Sequence, residues 1–268
     1  MDGCRLMEKR AVMSLSGGMD STGLLLDLLS KGYFVHAISF DYGQKHKIEI
    51  QKAKNNIEYL SENGIDIEHD VVDLSSISSL LYGSLTDSTK EIPEGHYEED
   101  QMKSTVVPNR NAIFSSIVYA SALSNAKKFD SNIIIALGVH SGDHAIYPDC
   151  RPEFYDSLGY AFSIGNWDSE KVSFYLPYLE FDKSHILKQS LKSCEKLGLD
   201  FDKIFSNTLT SYNPDSQGRS SGKSGADVER ILAFHSIGRK DPIVYVKEWE
   251  EVLNDALKTE EKYIEELK

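Results

Sequence analysis

The chain has 268 residues, 40% of them hydrophobic and 26% charged, and a formal net charge of −13. That is the make-up of an ordinary globular protein with room for one large domain and a smaller appendage, and the acidic balance argues against a broad nucleic-acid surface, which needs a basic stripe. No apolar run reaches membrane-spanning length, Met1-Asp2-Gly3-Cys4-Arg5 does not begin a signal peptide, and the cysteines Cys4, Cys150 and Cys194 lack metal-like spacing, which suits a reducing cytoplasm.

The first apolar run, residues 11–13, leads into Ser14-Leu15-Ser16-Gly17-Gly18-Met19-Asp20-Ser21-Thr22 and then a leucine-rich stretch, 23–29. This order predicts a strand, a tight loop and a helix start. Adjacent glycines let backbone N–H groups converge, and the helix start adds unpaired donors and a positive dipole end, so the loop is a candidate phosphate cradle. The hydroxyls of Ser16, Ser21 and Thr22 can add to it, and Asp20 can hold a magnesium ion on bound phosphates. A simple tight turn is the plainer alternative.

Residues 34–40 are aromatic and β-branched and predict a second strand, parallel to the first through a βαβ crossover. The polar segment from Asp41 to Glu49 then falls at a strand's carboxyl end, where ligand contacts gather in open α/β sheets. A helix over 45–60, a strand over 65–72 and a short helix over 74–81 follow. Periodicity is lost over 83–105, which predicts a lid or a disordered loop. Arg110 then opens an apolar helix running to about 126, and a cation at a helix start is electrostatically misplaced, which points to an anion as its partner. A strand over 132–137 delivers His140, Asp143, His144, Tyr147 and Asp149 to another carboxyl end, a small-molecule pocket or, less in keeping with Gly142 and Pro148, a metal site on the two histidines. Helices over 153–162 and 184–197 flank a strand over 174–179. Beyond a polar, Gly/Ser-rich stretch at 207–225 the pattern is helical, over 227–234 and in an amphipathic tail striped by Trp249, Val252, Leu253, Ala256, Leu257, Ile264 and Leu267. That tail packs back on the body or on a second subunit, so a homodimer is the expected assembly.

SGGMDST lacks the lysine of the common phosphate loop and resembles the pyrophosphate-binding loop of N-type ATP pyrophosphatases. Taken in order with DYGQKHKIE, VPNRN and GVHSGDHAIYPDCRPEF, it resembles the 7-cyano-7-deazaguanine synthase (QueC) family over roughly residues 11–245. The resemblance implies a doubly wound, mostly parallel α/β fold, Rossmann-like and adenine nucleotide alpha hydrolase-like, with a small helical C-terminal part. It divides the chain into a nucleotide-binding domain, 1–200, and a C-terminal helical region, 201–268. It also implies an ATP- and magnesium-dependent ligase that adenylates 7-carboxy-7-deazaguanine and adds ammonia, giving the amide and then the nitrile. Leu15, Ser16, Gly17, Gly18, Asp20, Ser21 and Thr22 match the ATP-binding positions, with Asp20 as the magnesium ligand. Tyr42, Gln44, His46, Arg110, Asn111, Asp143, Tyr147 and Asp149 match positions around the substrate. Asp20, Ser21 and Arg110 carry the catalytic expectation.

One departure stands out. The family's structural zinc is held by four cysteines, whose positions here are Ser211, Ser221, Ser224 and Asp227. Serine hydroxyls are poor substitutes for thiolates, so no zinc is expected, and packing, hydrogen bonds or a partner must replace it. A rebuilt C-terminal part leaves a second reading open, in which the acyl group goes to a protein amine, as is thought for QueC-like proteins linked to phage defence. A non-catalytic nucleotide-binding module is a third.

Overall fold

The computed structural model describes residues 8–43, 48–80, 106–140, 142, 147–211, 215 and 217–266. Five strands form one sheet: β1 (Arg10–Ser14), β2 (Phe34–Asp41), β3 (Glu68–Asp73), β4 (Ile133–Ala136) and β5 (Val172–Tyr175). Their order is β3-β2-β1-β4-β5, and every neighbouring pair is parallel. The chain builds outward from β1 to β3, then returns to add β4 on the other side of β1. The strand order therefore reverses between β1 and β4, the point where a crevice opens above the carboxyl ends.

Helices cover both faces, so the strands read as apolar runs rather than alternating ones. On one face α1 (Met19–Ser30), α2 (Ile48–Glu62) and α5 (Lys183–Leu197) pack over Ala11 and Met13 of β1. On the other, α3 (Arg110–Phe129) and α4 (Pro152–Gly165) cover Val12 of β1 and Ile38 and Phe40 of β2. Gly23 in α1 lets α5 come close, since a Cβ there would meet Ile186 Cγ2 at 2.6 Å. Asp27, buried in α1, accepts from Lys31 Nζ (2.8 Å), Tyr175 Oη (2.7 Å) and Gln189 Nε2, which ties the helix to β5 and α5.

The C-terminal part adds α6 (Phe201–Ser206), α7 (Gly225–Ser236) and α8 (Trp249–Glu266), whose apolar faces join the α1–α5 core. Trp249, Val252 and Ala256 are buried in that core, so the first half of the tail helix packs on its own body. No described helix is long and apolar enough to cross a membrane.

Two expectations shift and a third goes untested. The strand placed over 174–179 lies at Val172–Tyr175, because Pro177 has no N–H for a ladder and turns the chain away. The serine-rich helix over 74–81 is a 3-10 helix, Ser75–Leu80. The loop over 83–105 lies outside the described residues.

Candidate active site

β1 runs into the glycine loop without a break, and Leu15 N–H donates to Ile38 O at 2.8 Å. Gly17 has φ +82°, and a Cβ on it would collide with the carbonyl oxygen of Glu49 at the start of α2. Only glycine permits both that backbone and that approach. Within the loop Gly18 N–H donates to Ser16 Oγ (3.2 Å), Ser16 N–H donates to Ser21 Oγ (3.2 Å), and the two hydroxyls lie 3.0 Å apart. Gly18 caps α1 without any side-chain cap bond, leaving the first turn of N–H groups facing the loop. Thr22 is buried, its Oγ1 lacks a hydrogen-bond partner, and it stands behind the loop rather than on the cleft wall.

The cleft beside this loop has a volume of about 260 Å³. Its floor comes from strand ends: Ser14 at the end of β1 and Leu15 after it, Ser39 and Phe40 of β2, and Leu137 and Gly138 after β4. This is the switch point of the sheet. A Cβ on Gly138 would stand 3.0 Å from Ser21 N, so glycine lets β4's end approach the start of α1.

One wall is aromatic. Phe40 and Phe114 stack at 4.1 Å between centroids, and Tyr42 is tilted against Phe114 at 5.4 Å. Arg110 sits 6.0 Å from the Tyr42 ring centroid and lines the cleft, so the misplaced cation at the start of α3 does face it. Burial holds the Tyr42 hydroxyl above its usual range, with Arg110 opposing. Tyr147 and Asn111 also line the cleft. Asp149 is not on its described wall; its carboxylate accepts from the Asn111 N–H at 3.4 Å and steadies the start of α3. Gln44, His46 and Asp143 lie outside the described residues.

Two charged groups here, Lys183 and Glu229, were not singled out in the sequence. Lys183, the first residue of α5, is 4% exposed and lines the cleft. Its Nζ lies 2.6 Å from Glu229 Oε2, 2.6 Å from His140 Nε2 and 3.4 Å from Asp20 Oδ2. Asp20 Oδ1 is buried with no hydrogen-bond partner. A buried lysine at a helix start carries the same electrostatic signature that marked Arg110, so sequence could have found it.

The positions matched to zinc cysteines form a hydrogen-bonded knot around Asp227. Ser211 and Ser224 donate to its Oδ2 at 3.0 and 2.8 Å, and Ser220 donates to Oδ1 at 2.6 Å. Ser221, matched by spacing, is displaced from the knot by its neighbour. Ser220 makes an extended bridge to Tyr245 that turns its side chain inward, and alternation turns Ser221 away. Ser224 and Asp227 also form the capping box of α7. Burial pushes the Asp227 carboxyl upward, against the hydroxyls that favour its ionised form. Nearby, Arg230 holds Thr208 and Thr210 at 2.8 and 3.0 Å, and Leu209 N–H donates to Gly17 O at 3.1 Å. The C-terminal part thus closes the cleft's rim onto the phosphate loop.

A glycine cradle, a buried lysine and an aromatic wall at one switch point suit a nucleotide and a flat second substrate. Sequence comparison gives that arrangement a family. The profile described as "Queuosine biosynthesis protein QueC" matches residues 10–238. The chain belongs to the QueC family. It is 43% identical over 238 residues to the 7-cyano-7-deazaguanine synthase of Methanoregula boonei, covering 88% of this chain and 99% of that one. It is likewise 43% identical over 241 residues to the enzyme of the same name from Marinomonas sp., covering 89% and 99%. Among solved structures it is similar to an NMN synthetase from Francisella tularensis, with 16% identity, a TM-score of 0.41, and 92% of this chain and 82% of that one covered. The fold is a five-stranded parallel α/β sheet, and QueC membership makes the chain an ATP-dependent enzyme of the ligase class.

Proposed function

We propose that the chain adenylates the carboxylate of 7-carboxy-7-deazaguanine and passes the acyl group to an amine, with ammonia giving the amide and then 7-cyano-7-deazaguanine. The observation that carries this reading is one cleft in which the anion cradle of α1 faces the Arg110–Tyr42 wall. A carboxylate is a poor acyl donor, and adenylation turns its oxygen into a good leaving group. The cradle of Ser16, Gly17, Gly18 and Ser21 would hold the departing pyrophosphate, with Lys183 opposing its charge from the start of α5. The aromatic wall offers a flat surface for a fused heterocycle, and Arg110 offers a cation to the carboxylate.

Asp20 fits a magnesium ion, because its buried Oδ1 has no hydrogen-bond partner while Lys183 stands only at its Oδ2. Bound magnesium would neutralise charge on the phosphates as they separate. Zinc does not fit the knot around Asp227, where three hydroxyls already donate to one carboxylate and no thiolate is present. Elemental analysis of purified protein is expected to find zinc well below stoichiometric; a full equivalent would mean the knot is a metal site.

The acceptor is tested by mass spectrometry after incubation with ATP, magnesium and 7-carboxy-7-deazaguanine. Free amide or nitrile with AMP, in the presence of ammonia, supports this reading. A deazaguanine mass on added proteins with little free product would move the acceptor to a protein amine. No product with either acceptor would leave a binding module.

A further inference from the structure

Two carboxylates line the described cleft, Asp20 and Glu49, and the second has no part in the scheme so far. Asp20 is committed to the phosphate side, with Lys183 Nζ at 3.4 Å and His140 Nε2 at 3.8 Å. Glu49 stands in the first turn of α2, partly buried, with its backbone carbonyl against Gly17. It therefore sits in the cleft between the phosphate loop and the Arg110–Tyr42 wall. Burial pushes its carboxyl up to about 7, and the Arg110 guanidinium opposes that rise. Among the described residues, the charged and titratable groups facing it are Arg110 from α3 and Tyr42 from the end of β2, with Tyr147 behind. Lys52 lies one turn along its own helix, and Asp20 and Lys183 stand on the phosphate side of the cleft.

Acyl transfer has a proton to dispose of. When ammonia attacks an acyl adenylate, the C–N bond forms, the C–O bond to AMP breaks, and nitrogen is left with one proton too many for a neutral amide. A base suited to this work is exposed to the cleft, free of a committed ion pair on the phosphates, and able to return the proton to water near neutrality. We propose that Glu49 is that general base, accepting the proton which the amine loses on attack and releasing it to solvent after AMP departs. This rests on the adenylating function argued above. Asp20 is the weaker candidate because its charge is already answered by Lys183.

The test separates the two half-reactions in Glu49→Gln, which keeps the side chain's size. Exchange of labelled pyrophosphate into ATP, dependent on 7-carboxy-7-deazaguanine, reads adenylation without an amine. Amide formation, followed by mass spectrometry at constant free ammonia, reads transfer. Expected is near-normal exchange with amide formation lowered about 10²- to 10⁴-fold. In the unaltered protein the transfer rate should rise with pH through about 7, and Glu49→Gln should lose that limb. Glu49→Asp should recover part of the rate. Wild-type amide formation in Glu49→Gln, or exchange lost together with it, would overturn the assignment. Absence of exchange in the unaltered protein would overturn the adenylating function itself, and the base with it.

Discussion

Asp20→Ala is expected to abolish ATP turnover while leaving the fold intact. The competing account of Asp20 is modest: an acidic residue in the first turn of a helix stabilises it by about 0.3–1 kcal/mol through the dipole. On that account the variant would melt slightly earlier and keep its activity. The surroundings argue otherwise. Oδ1 is buried without a hydrogen bond, an expensive arrangement unless something binds it, and Oδ2 leans on Lys183 at 3.4 Å. Lys183 keeps Glu229 at 2.6 Å when Asp20 is removed, so the folded state loses little. Asp20 would act through the magnesium ion it holds, and losing a cation's charge offset at the reacting phosphate costs on the order of 10²- to 10³-fold or more in rate. ATP consumption by the variant, measured beside its melting temperature, decides the matter: unchanged turnover would remove Asp20 from the mechanism.

Asp241→Ala is expected to be the most damaging substitution for stability. Asp241 takes a two-pronged bond from Arg230, Nε at 2.6 Å and Nη2 at 2.9 Å, and both side chains are fully buried. Tyr245 Oη donates to the same carboxylate at 2.8 Å. Removing the carboxylate leaves a buried guanidinium whose hydrogen-bond partners among the described residues are Thr208, Thr210 and the Phe205 carbonyl. Orphaning one member of such a pair costs about 3–5 kcal/mol, a large part of the roughly 5–15 kcal/mol that holds a domain folded. The denaturation midpoint should fall accordingly. Replacing both members, Arg230→Met with Asp241→Leu, should recover much of the loss, since no charge then stays buried alone. A single variant as stable as the parent would show that the Arg230–Asp241 pair is not what holds the C-terminal part.

The core of the fold was readable because local rules and tertiary demands agree there. Strand β1, the Gly17–Gly18 turn and α1 follow one another as apolar run, glycine pair and leucine stretch, and β2 is aromatic and β-branched. The strand β5 was misplaced because Phe174 to Leu179 is apolar throughout, and only Pro177 says where pairing stops. Helix α6 went unseen at six residues, although Asp200 caps it by accepting from Lys203 N–H at 3.0 Å. In the site, Arg110 was legible from its place at a helix start, and Lys183 carries that same mark. Glu49 lies in a segment read as ligand-facing, but its proposed role was not legible, because it depends on Gly17 and Arg110, more than thirty positions before it and sixty after. The knot was located by spacing, yet which serine enters it depends on the bridge between Ser220 and Tyr245, a long-range pairing that spacing cannot show.

The central claim is that this cleft joins ATP to a carboxylate by splitting the nucleotide between its α and β phosphates. The most direct measurement is exchange of labelled pyrophosphate into ATP with magnesium, with and without 7-carboxy-7-deazaguanine. Exchange that appears only when the acid is present, with AMP as the sole nucleotide product once ammonia is added, is the predicted result. No exchange, or release of ADP and phosphate in its place, would contradict it.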